Sequence, residues 1–447
     1  MKKDLTQGCE WRSILAFALP IMAANLLQVL YNFADSVIVG NFIGPTALGA
    51  VGLTGSMTWL LNAFCSALGA GTTIAVAQYF GAKKHKEIGD VAAAAYIISF
   101  ILASVLTAVC FIVAKPVIVG FLQAPGEMQS DSIKYFIIFG CGVIFQLLYN
   151  VTYGILRAHG DSRGALIFLL VSAFINIALD ILFVVTFHWG VAGAALATII
   201  SQAGAAAASM VYMHVRLPEL TLGRENLSAF KAQSKMLTGL SVPIVLQTTV
   251  TSLGFILLQR LINSFGTASI EGYSAMLKIE QFAHIPSQSF NVAISAFAGQ
   301  NIGAGKTDRA RRGYRSTVIM GVVISVVISA VVIGLDTQLL SMFNISGESL
   351  LRGREHLDLL MCFIWVNTIM NITCGFLQGA GDVRLPAASS FINLGIRLAL
   401  SFALAATTVG FRCYYVSMPP AWIIACMVVV VRYRGGKWKN YSLVKQN

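Results

Sequence analysis

Twelve apolar runs, each long enough to cross a bilayer as a helix, leave this chain little choice of fold. They fall at about residues 14–39, 47–79, 90–114, 133–155, 165–187, 190–212, 237–262, 270–301, 314–335, 357–376, 386–408 and 411–431. About 20 apolar residues suffice for one helical span. The runs are continuous rather than alternating, and only helices or closed barrels satisfy their backbone polar groups in lipid. The expected fold is therefore all-α, a polytopic membrane protein of twelve transmembrane helices. With only 11% of its residues charged, against roughly 25% in soluble domains, a water-soluble fold is excluded. The eight cysteines form no CxxC pair, and most read as small buried hydrophobes. The first run continues to Val39 and carries Asn25, Gln28, Asn32 and Asp35, which a cleaved leader lacks, so it is taken as the first span.

A net charge of +12 would suggest nucleic-acid binding in a soluble protein; here the placement of the charges matters more. Of the 31 basic residues, 23 lie in the two tails and the even-numbered loops, five lie on the other side, and Arg260, Lys278 and Arg397 fall within spans. The positive-inside rule then places both termini in the cytoplasm of a cell in whose plasma membrane the chain resides. No nucleic-acid partner is expected; the bilayer is the partner.

The two halves repeat one another. Gln78-Tyr79-Phe80-Gly81-Ala82-Lys83-Lys84 matches Gln300-Asn301-Ile302-Gly303-Ala304-Gly305-Lys306, Gly154–Arg163 matches Gly375–Arg384, and Pro20 matches Pro243 at nearly one offset. Each half holds six spans, so both share one orientation, related by a pseudo-two-fold axis along the membrane normal. The expected organisation is an N-terminal six-helix lobe, 1–215, a basic linker, 216–236, with Arg216, Pro218 and Lys231, and a C-terminal lobe, 237–447. A duplicated six-plus-six bundle is a transporter architecture, with substrate expected between the lobes.

Enzymatic motifs fail. Gly303-Ala304-Gly305-Lys306-Thr307 resembles the end of a phosphate-binding loop, but the required earlier glycine is Gln300, so it reads as a glycine-capped helix end with a basic anchor. No GxSxG, HExxH or ligand-spaced histidine cluster is present. An enzyme and a bound cofactor are not expected.

Ionisable residues inside spans are costly and therefore informative, at roughly 2.5–3.5 kcal/mol each near a helix centre. Asp161 and Asp382 recur in both halves and read as loop clamps. Asp35 and Asp180 occur in one half only. Asn176 and Asp180, four apart, share a helix face and can offer an amide oxygen and a carboxylate to a small hard cation, either a proton or sodium; the alternative is interhelical packing. Sodium there is the only metal expected. Glu280 shares its span with Lys278 and His284, and with Arg260 and Arg397 forms a candidate C-lobe polar network. Gln28, Tyr31, Asn32, Asn150 and Tyr153 mix polar and aromatic groups in spans 1 and 4, suited to a cavity for an amphipathic organic cation or to interhelical hydrogen bonding.

Leu19-Pro20, Asp35-Ser36-Val37-Ile38-Val39-Gly40, Gln78-Tyr79-Phe80-Gly81-Ala82, Leu156–Arg163, Asn176-Ile177-Ala178-Leu179-Asp180 and Gly193–Thr198, in that order along nearly the whole chain, resemble the multidrug and toxic compound extrusion (MATE) transporters. The resemblance implies an antiporter that exports amphipathic, often cationic small molecules in exchange for protons or sodium ions; a monomer is the expected state. It implies an N-lobe cation site at Asp35, Asn176, Asp180 and Thr198, substrate contacts from the polar residues of spans 1 and 4, and a bend in span 1 at Pro20. Some members place another cation-binding acid in span 7, which here offers Gln247, Thr248 and Thr251 instead. An alternative within transport is a flippase or exporter of lipid-linked or other endogenous metabolites, which shares the architecture.

Overall fold

The structure is a computed structural model and describes residues 4–217, 220, 223–343 and 345–444. Lys2, Lys3 and Pro218 lie outside the described residues. Among those described, every regular element is helical. The helices are α1 (Glu10–Phe42), α2 (Pro45–Gly81), α3 (His85–Lys115), α4 (Gly126–Cys141), α5 (Val143–Ala158), α6 (Ser162–Asp180), α7 (Gly190–Arg216), α8 (Phe230–Asn263), α9 (Thr267–Gly303), α10 (Thr307–Gly334), α11 (Asp336–Ser341), α12 (Gly347–Gly379), α13 (Arg384–Ala405), α14 (Cys413–Val416) and α15 (Met418–Arg434).

Each of the twelve apolar runs corresponds to helix in this list, but not always to a single straight one. The fourth is broken: α4 and α5 meet at Gly142 with a bend of 44°. The last is built from the short α14 and from α15. The third and fifth end in π-helical turns, Pro116–Phe121 and Ile181–Thr186. Pro116 has no N–H to give to the ladder, which explains the widened turn there. Among the described residues, ten helices are long and apolar enough by themselves to span, eleven with the bent pair. The remaining span is α9, whose apolar run is interrupted by Glu271, Lys278 and Glu280.

Small residues set how closely the helices approach, as expected where lipid offers no hydrophobic drive between them. A Cβ on Gly154 would press into the Gly69 carbonyl of α2, and one on its repeat partner Gly375 would overlap the Asn291 carbonyl of α9. The hydroxyls of Tyr96 and Thr152 share a 2.8 Å hydrogen bond, and those of Tyr314 and Thr373 share one of 2.9 Å. The duplication thus extends from sequence to packing. The repeated aspartates also clamp, by different means: Asp161 caps α6 through the Gly164 N–H at 2.9 Å and accepts from Tyr212 at 2.8 Å, while Asp382 accepts from Arg432 at 2.7 Å.

The packing divides into two compact units, one holding Ala23–Val245, the other Leu5–Met22 and Leu246–Asn447. This division differs from boundaries drawn in the 216–236 linker. The first part of α1 packs in the second unit, where Ile14, Phe17, Ala18 and Ile21 join Phe290, Phe297, Phe376 and Trp438 in one core. The first part of α8 packs in the first unit, where Ser241 lies against Gly71 and Tyr79 contacts Met236. Both changes of unit follow a proline inside the helix by two residues, Pro20 and Pro243.

Candidate functional site

Within the first unit, α1, α4, α6 and α7 bring five polar side chains around Asp35. Helical spacing puts Asn176 and Asp180 one turn apart on α6, and both are fully buried. With its amide oriented to use both ends, Asn176 donates to Asp180 Oδ2 at 2.9 Å and accepts from the Thr198 backbone N–H at 3.2 Å. The Thr198 hydroxyl donates to the Ala194 carbonyl at 3.1 Å. Asp35 brings its carboxyl within hydrogen-bonding reach of that of Asp180. Tyr31, one turn earlier on α1, reaches Thr198, and Tyr135 of α4 lies within electrostatic range of both acids.

No Lys or Arg pairs with either carboxyl among the described residues, and Asp35 Oδ1 and Asp180 Oδ1 have no hydrogen-bond partner. Two acids in contact without a base need a shared proton or a small cation between them. The oxygens of Asp35, Asp180, Asn176 and Thr198 are of the hard type that sodium accepts. No cluster of three or more His, Cys, Asp or Glu side chains suited to a transition metal occurs among the described residues. The α-helical register of α6 ends at Asp180, where the π turn begins, and such turns recur at functional positions.

The structure brings Asp35, Asn176, Asp180 and Thr198 together. Tyr31, read from sequence as a substrate contact, stands at this cluster. Sequence reasoning missed Tyr135, since a tyrosine in an apolar span carries no local signal of its partner on a distant helix. Gln28 and Asn32 are exposed on α1 and hydrogen-bonded to each other at 3.4 Å. Asn150 and Tyr153, three apart on α5, are partly buried; Asn150 donates to the Gln146 carbonyl at 2.8 Å, and Tyr153 stacks on Tyr149 and lies under the Arg157 guanidinium.

In the second unit only part of the sequence-derived network assembles. Glu280 accepts from His284 at 3.2 Å and lies in electrostatic range of Arg397 and His356. Arg260 and Lys278 are exposed and make no ion pair with it among the described residues. His356, fully buried, is stacked between Tyr273 and Tyr415 with ring centroids 5.8 and 5.2 Å away. It was not foreseen, because neither its own helix nor its neighbours in sequence show the rings that enclose it.

The MatE family model matches residues 20–182 and 243–403, one stretch in each half. The probable multidrug resistance protein YpnP of Bacillus subtilis is 26% identical over 98% of both chains. A crystal structure of MATE in complex with MaL6 superposes with a TM-score of 0.88 at 22% identity, covering 98% of this chain and 99% of that one. A MOP superfamily transporter from Pyrococcus furiosus, whose binding pocket is described as having reversed polarity, superposes equally well at 23% identity over 98% of both chains. A twelve-span duplicated bundle and a paired match across both halves lead to one assignment: the chain belongs to the MatE family of membrane transporters.

Proposed function

We propose that the protein is a secondary active multidrug exporter, expelling amphipathic and often cationic small molecules in exchange for protons or sodium ions by alternating access. The carrying observation is the contact between Asp35 and Asp180 in a region without a compensating base. Asp35, Asn176, Asp180 and Thr198 hold the coupling ion; Tyr31 and Tyr135 complete the surroundings of that site. Gln28, Asn32, Asn150 and Tyr153 supply contacts for the drug. Ion and drug drive one another only if each favours a different conformation, since a ligand with equal affinity for both shifts nothing. Members named for multidrug resistance and export, including YpnP, support the substrate class. Chemistry on the substrate plays no part, and the bilayer is the one obligatory partner of the monomer, whose termini lie in the cytoplasm.

The lipid-linked alternative needs a basic cavity. Arg397 is the one buried member of the three in-span basic residues, and it lies in electrostatic reach of Glu280, which disfavours that reading.

The test is efflux of a fluorescent organic cation from proteoliposomes under separately imposed pH and sodium gradients. Asp35→Asn and Asp180→Asn are each expected to reduce gradient-driven efflux at least tenfold, on the order of one charge-assisted interaction, while passive dye binding persists. Undiminished, gradient-dependent efflux in either variant would sink the proposed ion site.

A further inference from the structure

The corner between α9 and α10 carries the Gly303-Ala304-Gly305-Lys306-Thr307 segment, which transport as proposed leaves without a use. Gly305 adopts the left-handed conformation, φ 74°, where a side chain would be strained, and the chain reverses there into α10. The corner opens on a cavity of about 590 Å³ lined by four cations, Lys306, Arg309, Arg312 and Lys439, and one acid, Asp308. Residues from three parts of the chain therefore converge on one concavity with a strong positive excess.

Two of the cations are held in place by the N-terminal segment. Arg309 donates to the carbonyl oxygens of Gln7 and Gly8 at 2.7 and 2.6 Å, and Arg312 pairs with Glu10 at 2.9 Å. Lys306 donates to the Thr6 carbonyl at 3.0 Å and its weaker contact is the Thr6 hydroxyl at 3.4 Å, so at least one of its three N–H groups remains available. Lys439 is exposed and has no ion pair among the described residues. The first turn of α10 lines the same cavity without a side-chain cap, adding backbone N–H groups that have no intrahelical acceptor. Trp438, next to Lys439, lies under the Arg311 guanidinium at 5.9 Å and is buried in the core with Phe376, which fixes the backbone that carries Lys439 at the edge of the corner.

Such a site needs a ligand with several acceptor oxygens and net negative charge, held by point charges and a guanidinium. We propose that this corner binds a phosphate-bearing anion, presented as the headgroup of an anionic phospholipid. The proposal concerns binding alone and stands apart from the transport reading.

The full chain, purified and delipidated in detergent, is titrated with phosphatidylglycerol or phosphatidylcholine and bound lipid is counted by native mass spectrometry; inorganic phosphate alone is scored by its shift of the melting temperature. The parent is expected to retain phosphatidylglycerol over phosphatidylcholine. Lys306→Gln and Lys439→Gln should each weaken that retention about fivefold, the effect of one basic residue near an anionic surface, and Lys439→Arg should keep it. Lys83→Gln, at the equivalent corner of the first half, is the control of equal charge and should change nothing. Protection by inorganic phosphate, lost in the same two variants but without lipid preference, would uphold the anion site and assign it to a soluble phosphate compound. Equal weakening by Lys83→Gln, equal retention of both lipids without phosphate protection, or no effect of Lys306→Gln and Lys439→Gln would overturn the proposal.

Discussion

Asp35 and Asp180 come within hydrogen-bonding reach of one another without a neighbouring base, and at the scale of single residues it is this uncompensated pair that the proposed coupling ion would neutralise. Tyr31 is the side chain that ties α1 to α7 there, through reach to Thr198. Tyr31→Phe removes one neutral hydrogen bond of about 0.5–1.5 kcal/mol. The expected outcome is a rise of roughly two- to tenfold in the concentration of coupling ion giving half-maximal efflux, with the maximal rate retained; an unchanged ion dependence would remove Tyr31 from the site. Asp336, outside the spanning helices, shows how a buried acid is held charged. Burial by itself would raise its carboxyl, but hydrogen bonds from Thr337 and from Arg354, at 2.7 Å, hold it below the ordinary carboxylate range. A folded value below the unfolded one gives stabilisation that is fully present above the unfolded pKa and is lost as pH falls through the folded one. Asp336→Asn should therefore destabilise the protein at pH 7 by about 1.5–3 kcal/mol, and by less as the pH is lowered below the ordinary carboxylate range. Melting curves across that pH range check it.

Between elements, backbone contact at glycine does what apolar burial does in a soluble core. Gly375 on α12 lies against the Asn291 carbonyl of α9, and Gly272 and Gly353 bring the same two helices together nearer their other ends. Gly375→Ala forces the helices apart and is expected to cost about 1–3 kcal/mol of stability. Gly52 of α2 has open space at its Cβ, so Gly52→Ala should be neutral or raise stability by up to about 1 kcal/mol. Thermal unfolding of both variants in one detergent separates packing from propensity. At this scale hydropathy located every span but not the break between α4 and α5. Both flanks of Gly142 are apolar, and the bend lies where Ile199 of α7 packs so close to Gly142 that a side chain there would collide with it, a contact no local window contains.

For the molecule as a whole, the two units exchange the first parts of their first helices, α1 and α8, after Pro20 and Pro243. The segment from Leu5 to Gly8 is secured in the second unit by residues some 300 positions away: the Leu5 N–H donates to Gln300 Oε1 at 2.9 Å, and Arg309 gathers the Gln7 and Gly8 carbonyls. Arg309→Gln is expected to release this segment. Hydrogen exchange at residues 5–9 should rise by roughly ten- to a hundredfold, matching a loss of about 1.5–3 kcal/mol for a charged hydrogen bond, while exchange in the middle of α9 stays as in the parent. Uniformly faster exchange would instead mark general destabilisation.

The sequence by itself determined the class, the number of spans, the duplication and three of the chemical groups at the proposed ion site. Each is written in runs, repeats or i, i+4 spacing that one segment carries alone: Asn176 and Asp180 share a face because a helix has 3.6 residues per turn. Thr198 came with the family resemblance. Tertiary structure decided that Asp35 meets Asp180, that Tyr31 and Tyr135 stand beside them, that Arg397 rather than Arg260 or Lys278 lies near Glu280, and that Leu5–Met22 belongs with the second half. These depend on how helices distant in sequence pack, and side chains on an apolar helix look alike to hydropathy until a neighbouring helix supplies the partner.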